Sequence, residues 1–517
     1  MTPVPRADVR VDWRTSLALL GRIVKWLAAT LLVPMLVAAY YGERRALLAF
    51  GATAIAALAL GLALERLEPN PDLGTREAFL MVSLTWLVVA IIGALPYVLV
   101  GQGTVATPVN ALFESMSGFT TTGATVIGDI SFETHDRSIL LWRQLTQWLG
   151  GMGIVVLAVA ILPELSVGGA QLMDAEAPGP GLEKLTPRIA ETARALWKIY
   201  ALITVTEIVL LYGLHLGGVA PNMSLYNAVA HGLTTMPTGG FSPEARSIEA
   251  FSAVVQWAIV PFMVAAGTNF ALFWYLLRGD PRRVVRDAEF RGYVGLMAVL
   301  TAVVAGLLFT DPNLAAHPEV GAITGDLEAS LRQATFQTVS IVTTTGYATM
   351  DFNDWNATAQ YLLLAAMLVG GSAGSTGSGI KIVRWLVILK SLKRELFTTI
   401  HPDAVRPVRL GGHALDERAI RGIYAFSLLY IAIFLVGTGL VLLDAARVDL
   451  ALTGFEAMSA TAATLGNVGP GFGVVGPMNS YLPFPASTKL LMVALMWLGR
   501  LEILPALVLL TSAFWRS

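Results

Sequence analysis

The chain has 517 residues, of which 55% are hydrophobic and only 14% are charged, and its formal net charge is −1. Soluble domains carry about 25% charged residues, so the composition excludes an ordinary soluble protein and favours a polytopic membrane protein whose surface faces lipid. The sequence contains no cysteine, which excludes disulfides, thiolate metal sites and cysteine nucleophiles.

Long apolar runs predict the transmembrane helices, because a helix needs about 20 mostly apolar residues to cross a bilayer. The first run follows a polar start and lacks an Ala-x-Ala cleavage pattern, so we interpret it as a span rather than a signal peptide. Ten runs are predicted to be full crossings: Leu17–Tyr40, Ala46–Leu64, Ala78–Val100, Leu140–Leu162, Leu196–Leu216, Phe251–Leu277, Val294–Phe309, Tyr361–Leu392, Ile423–Leu443 and Leu490–Phe514.

Clusters of lysine and arginine predict the orientation of the chain. They precede the first span and lie between spans four and five, six and seven, and eight and nine, with Arg44 and Arg45 as the main exceptions. These connections share one side if ten spans are counted, and the positive-inside rule makes that side cytoplasmic. The basic edges Arg278–Arg291 and Lys390–Arg421 are expected there, in contact with an acidic regulatory partner or with anionic lipid.

Four short segments between the spans end in polar or small residues and glycine. Their helical parts, of about 10–14 residues, are too short to cross a bilayer, so we predict half-helices that enter from the outer face and turn back. These half-helix segments are Phe113–Thr125, His231–Phe241, Phe336–Tyr347 and Phe455–Gly471.

The same segments define an internal repeat, because their glycines are 117, 106 and 123 residues apart. The predicted fold class is an all-α polytopic membrane protein with four span–pore-helix–span repeats in pseudo-fourfold arrangement around one ion pore, preceded by two extra transmembrane helices. The predicted units are a two-span preface (1–70), pore repeat 1 (71–180), repeat 2 (181–285), repeat 3 with a glycine-rich intramembrane loop (286–405) and repeat 4 (406–517).

The four loops can supply oxygens to a dehydrated cation, since rings of backbone carbonyls replace the water shell of ions in membrane pores. Glycine permits the backbone conformation required, and neutral dipoles suit a large monovalent ion. The alternative is that the glycines only allow tight helix packing. The predicted filter triplets are Thr121-Thr122-Gly123, Thr238-Gly239-Gly240, Thr344-Thr345-Gly346 and Asn467-Val468-Gly469.

The chain resembles the Trk/Ktr/HKT superfamily of potassium transporters, in particular its bacterial Trk-type membrane subunits. The resemblance rests on FESMSGFTTTGAT (113–125), WLGGMGIVVLAVAILPEL (148–165), KLTPRIAETARALW (184–197), PTGGFS (237–242), GGSAGSTGSGIK (370–381), NVGPGFG (467–473) and LGRLEILPALVLL (498–510). It implies K+ uptake across the inner membrane and a homodimer with one pore per subunit. It also implies regulation by a cytoplasmic nucleotide-binding ring, whose nucleotide would be ATP/ADP or NAD(H), with no organic cofactor in this chain and no nucleic-acid partner.

Two positions depart from the family pattern. Pro237 precedes the second filter triplet, where relatives usually have an ordinary residue. Proline removes an N–H and fixes φ, so the second loop is expected to be the copy that deviates most. The glycine-rich segment has GSTGSG in place of the commoner GSTGGG, which predicts lower flexibility.

The glycine-rich segment interrupts the eighth span, where glycine this dense predicts an unwound helix. We interpret it as a loop beneath the filter that blocks the pore at rest; the alternative is a kink that fits a packing site. The predicted gate consists of Gly370, Gly371, Gly374, Ser375, Thr376, Gly377, Gly379, Lys381 and Arg500.

Arg500 lies in the last apolar run, where a charge is costly and usually faces a cavity or a partner. It is predicted to face the pore, bond loop carbonyls and repel cations; the alternative is that it reaches to the membrane surface.

Other polar residues receive structural interpretations. Glu114 and Glu456 are expected to begin the first and fourth half-helices and to complement their positive N-termini. His231 and Asn227 are expected to bond neighbouring backbone, with a proton relay as the alternative.

The sequence is compatible with three functions. The first is a channel-like K+ permease. The second is a symporter coupling K+ to H+ or Na+, for which His231, Glu164 and Glu207 are the candidate coupling residues. The third, an intramembrane enzyme, would need a nucleophile with a base or a metal cluster, and the six scattered histidines argue against it.

Overall fold

The computed structural model describes residues 11–67, 74–153, 189–411 and 413–515, and these are mostly helical. The helices are α1 (Trp13–Thr30), α2 (Leu32–Tyr41), α3 (Arg44–Glu65), α4 (Thr75–Val100), α5 (Pro108–Phe119), α6 (Arg137–Gly151), α7 (Ile189–Leu216), α8 (Leu225–Thr235), α9 (Ala253–Ala266), α10 (Phe270–Leu277), α11 (Pro281–Arg286), α12 (Ala288–Phe309), α13 (Leu327–Val342), α14 (Ala357–Met367), α15 (Ile382–Ile400), α16 (Glu417–Arg447), α17 (Gly454–Leu465), α18 (Ala486–Arg500), α19 (Leu504–Val508) and α20 (Ser512–Trp515). A two-residue antiparallel ladder of β1 (Arg409–Leu410) and β2 (His413–Ala414) is a small departure from the all-α prediction.

Some predicted features lie outside the described residues. These are the part of span four after residue 153, most of the pattern between 148 and 197, the carboxylate Glu164 and the basic residues Arg6, Arg10, Lys184 and Arg188.

The described chain has fewer unbroken spans than the ten predicted. Six stretches are long and apolar enough to cross a membrane: α1 with α2, α3, α4, most of α7, α12 and α16. A seventh is obtained if α9 and α10, which meet at a bend of 101°, count as one broken span. Three of the ten predicted runs, spans six, eight and ten, are divided into shorter helices. The break in span eight is the one predicted from the glycine-rich segment, whereas the breaks in spans six and ten were not predicted.

Each of these breaks has a local cause. Between α9 and α10, Asn269 caps α10 by accepting a hydrogen bond from the Ala271 N–H at 2.9 Å. The glycine-rich segment separates α14 from α15. After α18 the chain turns through Glu502 and Ile503, whose φ angles of 53° and 66° are incompatible with a right-handed helix. Hydropathy does not detect such breaks, because most of the interrupting residues are themselves small or apolar.

Four half-helices occupy the predicted places between the spans. They are α5, α8, α13 and α17, with 12, 11, 16 and 12 residues, so α13 is longer than expected. Polar caps start three of them. The Ser224 hydroxyl accepts from the Asn227 N–H, and the Asp326 carboxylate accepts from the Ala329 N–H. Thr453 and Glu456 form a capping box, which confirms the N-terminal role predicted for Glu456.

The first and third helices pack through glycine. A Cβ added at Gly21 would lie 2.7 Å from the carbonyl oxygen of Gly61, and one added at Gly61 would lie 2.8 Å from that of Gly21. Small residues let helix backbones approach closely inside a membrane, where packing rather than the hydrophobic effect holds helices together. The carboxylate of Glu65 accepts from the Lys25 ammonium beside this contact.

We expect Gly61→Ala to lower the free energy of unfolding by about 1–3 kcal/mol, because the added methyl group overpacks the α1–α3 contact. The matched control is Gly295→Ala on α12, where an added Cβ meets nothing within 4 Å. Alanine should be neutral or stabilising there, since it is the better helix former. Thermal unfolding in detergent compares the two variants, and equal stability would contradict the packing role of Gly61.

Candidate functional site

The four filter loops meet and contact one another in a closed cycle. The third residue of each triplet lies against the carbonyl of the second residue in the next loop. A Cβ added at that glycine would come against the carbonyl oxygen in four pairs: Gly123 with Gly239, Gly240 with Thr345, Gly346 with Val468, and Gly469 with Thr122, the last at 2.6 Å. Backbone therefore touches backbone at all four seams, which only glycine permits.

The four loops share one backbone conformation. The first and third residues of each triplet have positive φ, which is uncommon for residues other than glycine. The first-residue values are 54° at Thr121, 56° at Thr238, 60° at Thr344 and 52° at Asn467; the glycine values are 79° at Gly123, 76° at Gly240, 79° at Gly346 and 101° at Gly469. The loops thus have the same path, and the fourth deviates most at its glycine.

The expectation that Pro237 makes the second loop the deviant copy is wrong. At the corresponding position of the first and third loops, Thr120 and Thr343 donate their N–H to a carbonyl of the preceding helix. Pro237 has no N–H, so the second loop lacks this hydrogen bond. The next two bonds are conserved in kind: Thr238 donates to the carbonyl of Thr235 at 2.9 Å, and Gly239 donates to that of Thr234 at 2.9 Å. These bonds hold the loop in the common path.

Most triplet carbonyls are left without donors. Of the twelve, ten accept no hydrogen bond from any residue that the structure describes. The two exceptions are Gly239, which accepts from the Gln147 amide at 2.7 Å, and Gly469, which accepts from the Tyr481 hydroxyl at 2.7 Å. Buried carbonyls nearly always accept a hydrogen bond. A cluster of carbonyls that accept none therefore offers the oxygen ligands that a desolvated cation needs.

Polar side chains fix the loops from behind. The hydroxyls of Thr120 and Thr122 lie 2.7 Å apart, as do those of Thr343 and Thr345. The Asn467 amide donates to the Thr122 hydroxyl at 2.9 Å and so joins the fourth loop to the first. These side chains are buried, and their hydrogen bonds order the backbone of the loops.

Tyr481 is a second link between the fourth loop and the first. Its N–H donates to the carbonyl of Thr125 at 2.8 Å, and its ring lies 5.5 Å from that of Phe113 in α5. Its hydroxyl meanwhile holds the carbonyl of Gly469. One buried residue therefore positions both sides of the seam.

A cavity above the loops is lined by all four filter glycines. Beside it, the Arg143 guanidinium pairs with the Glu114 carboxylate, donates to the carbonyl of Ser242 at 2.9 Å and lies 3.7 Å from the centre of the Phe241 ring. The prediction that Glu114 starts the first half-helix is wrong, since it lies inside α5 and also accepts from the Val126 N–H. The pair ties half-helix one, the helix after it and loop two together.

The glycine-rich segment lies against two of the half-helix ends. The Thr376 hydroxyl donates to the carbonyl of Met236, directly after α8, at 2.9 Å. The Ser378 N–H donates to the hydroxyl of the filter residue Thr344 at 3.0 Å. The Lys381 ammonium donates to the carbonyl of Gly377 and closes the segment on itself.

Arg500 is buried at the end of α18 and binds this segment. Its guanidinium donates to the Thr376 carbonyl at 2.8 Å and to the Ser378 hydroxyl at 3.2 Å. It also donates to the carbonyls of Gly150 and Gly151 at the end of α6, at 2.9 and 3.3 Å. Nearby, Arg384 of α15 pairs with Glu502. Arg500 thus bridges the glycine-rich segment and the first repeat.

The remaining candidate residues lie behind loop two. His231 contacts the carbonyl of Asn227 at 2.7 Å and the hydroxyl of Ser242 at 3.1 Å, and the Asn227 amide donates to the carbonyl of Asn222. The prediction that His231 and Asn227 bond to neighbouring backbone is therefore confirmed. Glu207 is fully buried on α7.

Three supporting residues were not predicted from the sequence: Arg143, Gln147 and Tyr481. Arg143 carried a usable signal, because it is a charge inside a predicted span, as Arg500 is. Gln147 and Tyr481 resemble ordinary helix and loop residues, and only the fold brings them to the filter loops.

Comparison with known proteins places these features in a family. A family model described as cation transport protein, TrkH, matches residues 44–516. The chain is 38% identical to the Trk system potassium uptake protein TrkH of Escherichia coli K12, over 98% of this chain and 100% of that protein. It is 35% identical to the Trk system potassium uptake protein TrkG of the same organism, over 96% of this chain and 97% of that one.

A solved structure is also similar. The crystal structure of the potassium transporter TrkH from Vibrio parahaemolyticus matches with a TM-score of 0.82 at 34% identity, covering 98% of this chain and 100% of that chain. The helical architecture is therefore shared along the whole length.

We expect Arg143→Met to destabilise the fold by about 3–5 kcal/mol, because it leaves the Glu114 carboxylate buried without its cation. The double variant Arg143→Met/Glu114→Gln should recover much of the loss. Arg447→Met removes a cation whose side chain is 61% exposed and paired with Asp444, and should change stability by less than about 1 kcal/mol. Thermal unfolding measures all three, and a double variant no more stable than the single one would contradict the pairing.

Proposed function

Because the chain belongs to the TrkH family of cation transport proteins, we propose that it takes up potassium through a pore formed by its four filter loops. It is a multi-pass protein of the bacterial inner membrane and a transporter rather than an enzyme.

The proposed pore has pseudo-fourfold symmetry, with one span–half-helix–span repeat at each quarter and α1 to α3 outside it. The closed cycle of four glycine–carbonyl contacts supports this arrangement. The common φ pattern of the loops supports it as well.

The single observation that carries the proposal is the cluster of ten triplet carbonyls without hydrogen-bond donors among the described residues. In this pore they take the place of the water around K+. The half-helices direct the negative ends of their dipoles at the ion, and no carboxylate belongs to the triplets. Such a neutral site suits a weakly hydrated monovalent cation.

The proposed gate is the glycine-rich segment, held closed by Arg500. Four hydrogen bonds from the guanidinium support this role, since they connect the segment to α6. The positive charge also opposes the passage of cations below the filter. Opening requires these bonds to break. The bonded arrangement is therefore the closed, resting state of the proposed gate.

Assembly is proposed from the family. The relatives are named as parts of a Trk system. We propose that the chain acts as a homodimer with one pore per subunit and is controlled by a cytoplasmic nucleotide-binding ring.

A coupled K+ symporter is the second candidate, and the buried carboxylate of Glu207 on a membrane-spanning helix favours it. Voltage-driven K+ flux into vesicles without a gradient of H+ or Na+ separates the two candidates. Flux under those conditions supports the permease, and its absence supports coupling.

The filter is tested by Rb+ or K+ flux into proteoliposomes with Na+ competition. We expect Gly346→Ser to reduce K+ flux or its preference over Na+ by about tenfold or more, because the side chain meets the carbonyl of Val468 and the φ of 79° is strained for serine. Gly213→Ser, where an added Cβ meets nothing within 4 Å, is the matched control.

Tyr481→Phe removes only the hydroxyl that holds Gly469 and should lower selectivity without unfolding the protein. Equal passage of Na+ and K+ through the unmodified protein would defeat the proposed filter.

The gate is tested by Arg500→Ala, which removes the four hydrogen bonds. We expect flux to rise by at least about tenfold, since the loss of even one bond from a charged donor, about 1.5–3 kcal/mol, corresponds to a factor of ten or more, while the preference for K+ over Na+ stays the same. Flux equal to that of the unmodified protein in liposomes would refute the role of Arg500, and altered selectivity would assign it to the filter instead.

A further inference from the structure

A basic cleft lies far from the filter, between the second half of α15 and the chain that leads to β1. Its lining residues are Lys390, Lys393, Arg394, Val405, Arg406, Pro407, Val408 and Arg409. Five of the eight are cationic. The Lys390 ammonium donates to the carbonyl of Arg409 at 2.9 Å, which fixes the two sides of the cleft to each other.

Most of this charge has no carboxylate partner in the described part of the chain. Arg394 is compensated, because it pairs with both Glu395 and Glu417. Arg406 lies 4.7 Å from the centre of the Phe397 ring, which orients it without neutralising it. Lys390, Lys393, Arg406 and Arg409 therefore concentrate positive charge on one cleft, which favours the binding of an anion.

An apolar stripe runs along the same helix beside the cleft. Four large side chains form it, each more than half exposed: Leu389, Leu392, Leu396 and Ile400. Their spacing of three or four residues places them on one face of α15, and Lys393 and Lys390 follow directly around the helix. The third face, with Val387 and Ser391, is buried against the protein. Helix α15 thus presents a basic face and an apolar face side by side.

We propose that the cleft binds the phosphate headgroup of an anionic phospholipid, with the acyl chains along the apolar stripe. An acidic protein segment or a free phosphate would account for the cations alone. A lipid accounts for both faces, because it carries a negative phosphate and two hydrocarbon chains on one molecule. The positive-inside rule assigns this lipid to the cytoplasmic leaflet.

The test is native mass spectrometry of the full-length protein with phosphatidylglycerol, compared with phosphatidylcholine. The variant Lys393→Gln/Arg409→Gln removes two cations of the cleft. The control Arg282→Gln/Arg286→Gln removes two exposed cations from α11. Each basic residue near an anionic surface contributes about fivefold in affinity, so the cleft variant should bind phosphatidylglycerol roughly 30-fold more weakly. The control should lose clearly less affinity, because it leaves the cleft intact.

Several outcomes would overturn the proposal. Equal loss in the control would indicate general attraction of charge, and equal binding of phosphatidylcholine would indicate the apolar stripe alone. Competition by inorganic phosphate or glycerol phosphate at millimolar concentration would assign the cleft to a soluble phosphate. Tight binding of an acidic peptide with none of the lipid would assign it to a protein partner. Because the readout is lipid binding, the result does not depend on the proposed ion selectivity.

Discussion

Contact between the backbone of one loop and the carbonyl of the next is the constraint on which the centre of this protein depends. Inside a membrane every backbone polar group needs a partner, yet the filter loops present ten carbonyls that accept no hydrogen bond from the described residues. The repeats can bring these oxygens together only if no side chain separates the loops. Glycine at the third position of each triplet meets that requirement because it has no side chain, and the positive φ angle at this position favours glycine as well.

The four seams are alike in backbone and different in side chains. Gln147 braces the seam between loops one and two, Tyr347 contacts the half-helix before loop two, and Asn467 with Tyr481 joins loop four to loop one. The cycle of main-chain contacts is thus a common geometry held by unrelated residues. Symmetry in the backbone of the four loops does not require symmetry in the surrounding protein.

The fold and the position of the site could be predicted from the sequence to different extents. Apolar length predicts ten spans, six of which are long apolar helices in the described part of the chain, and the glycine spacing predicts the four half-helices, since both depend on local pattern. The break in span eight was predicted from its dense glycines, but the breaks in spans six and ten were not, because a residue such as Ile503 is apolar and gives no warning of its positive φ. The effect of Pro237 was misjudged, since the neighbouring N–H groups keep the loop in place. Gln147, Tyr481 and the Glu114–Arg143 pair depend on contacts between distant parts of the chain, which periodicity does not encode.

The seam between loops four and one also has a consequence for biogenesis. The amide of Asn467 and the hydroxyl of Thr122 are separated by 345 residues, so the first loop is synthesised long before its neighbour on that side exists. Contacts of such high sequence separation form late and slowly. A chain that ends before residue 467 lacks the fourth loop, so its cycle of loop contacts cannot close.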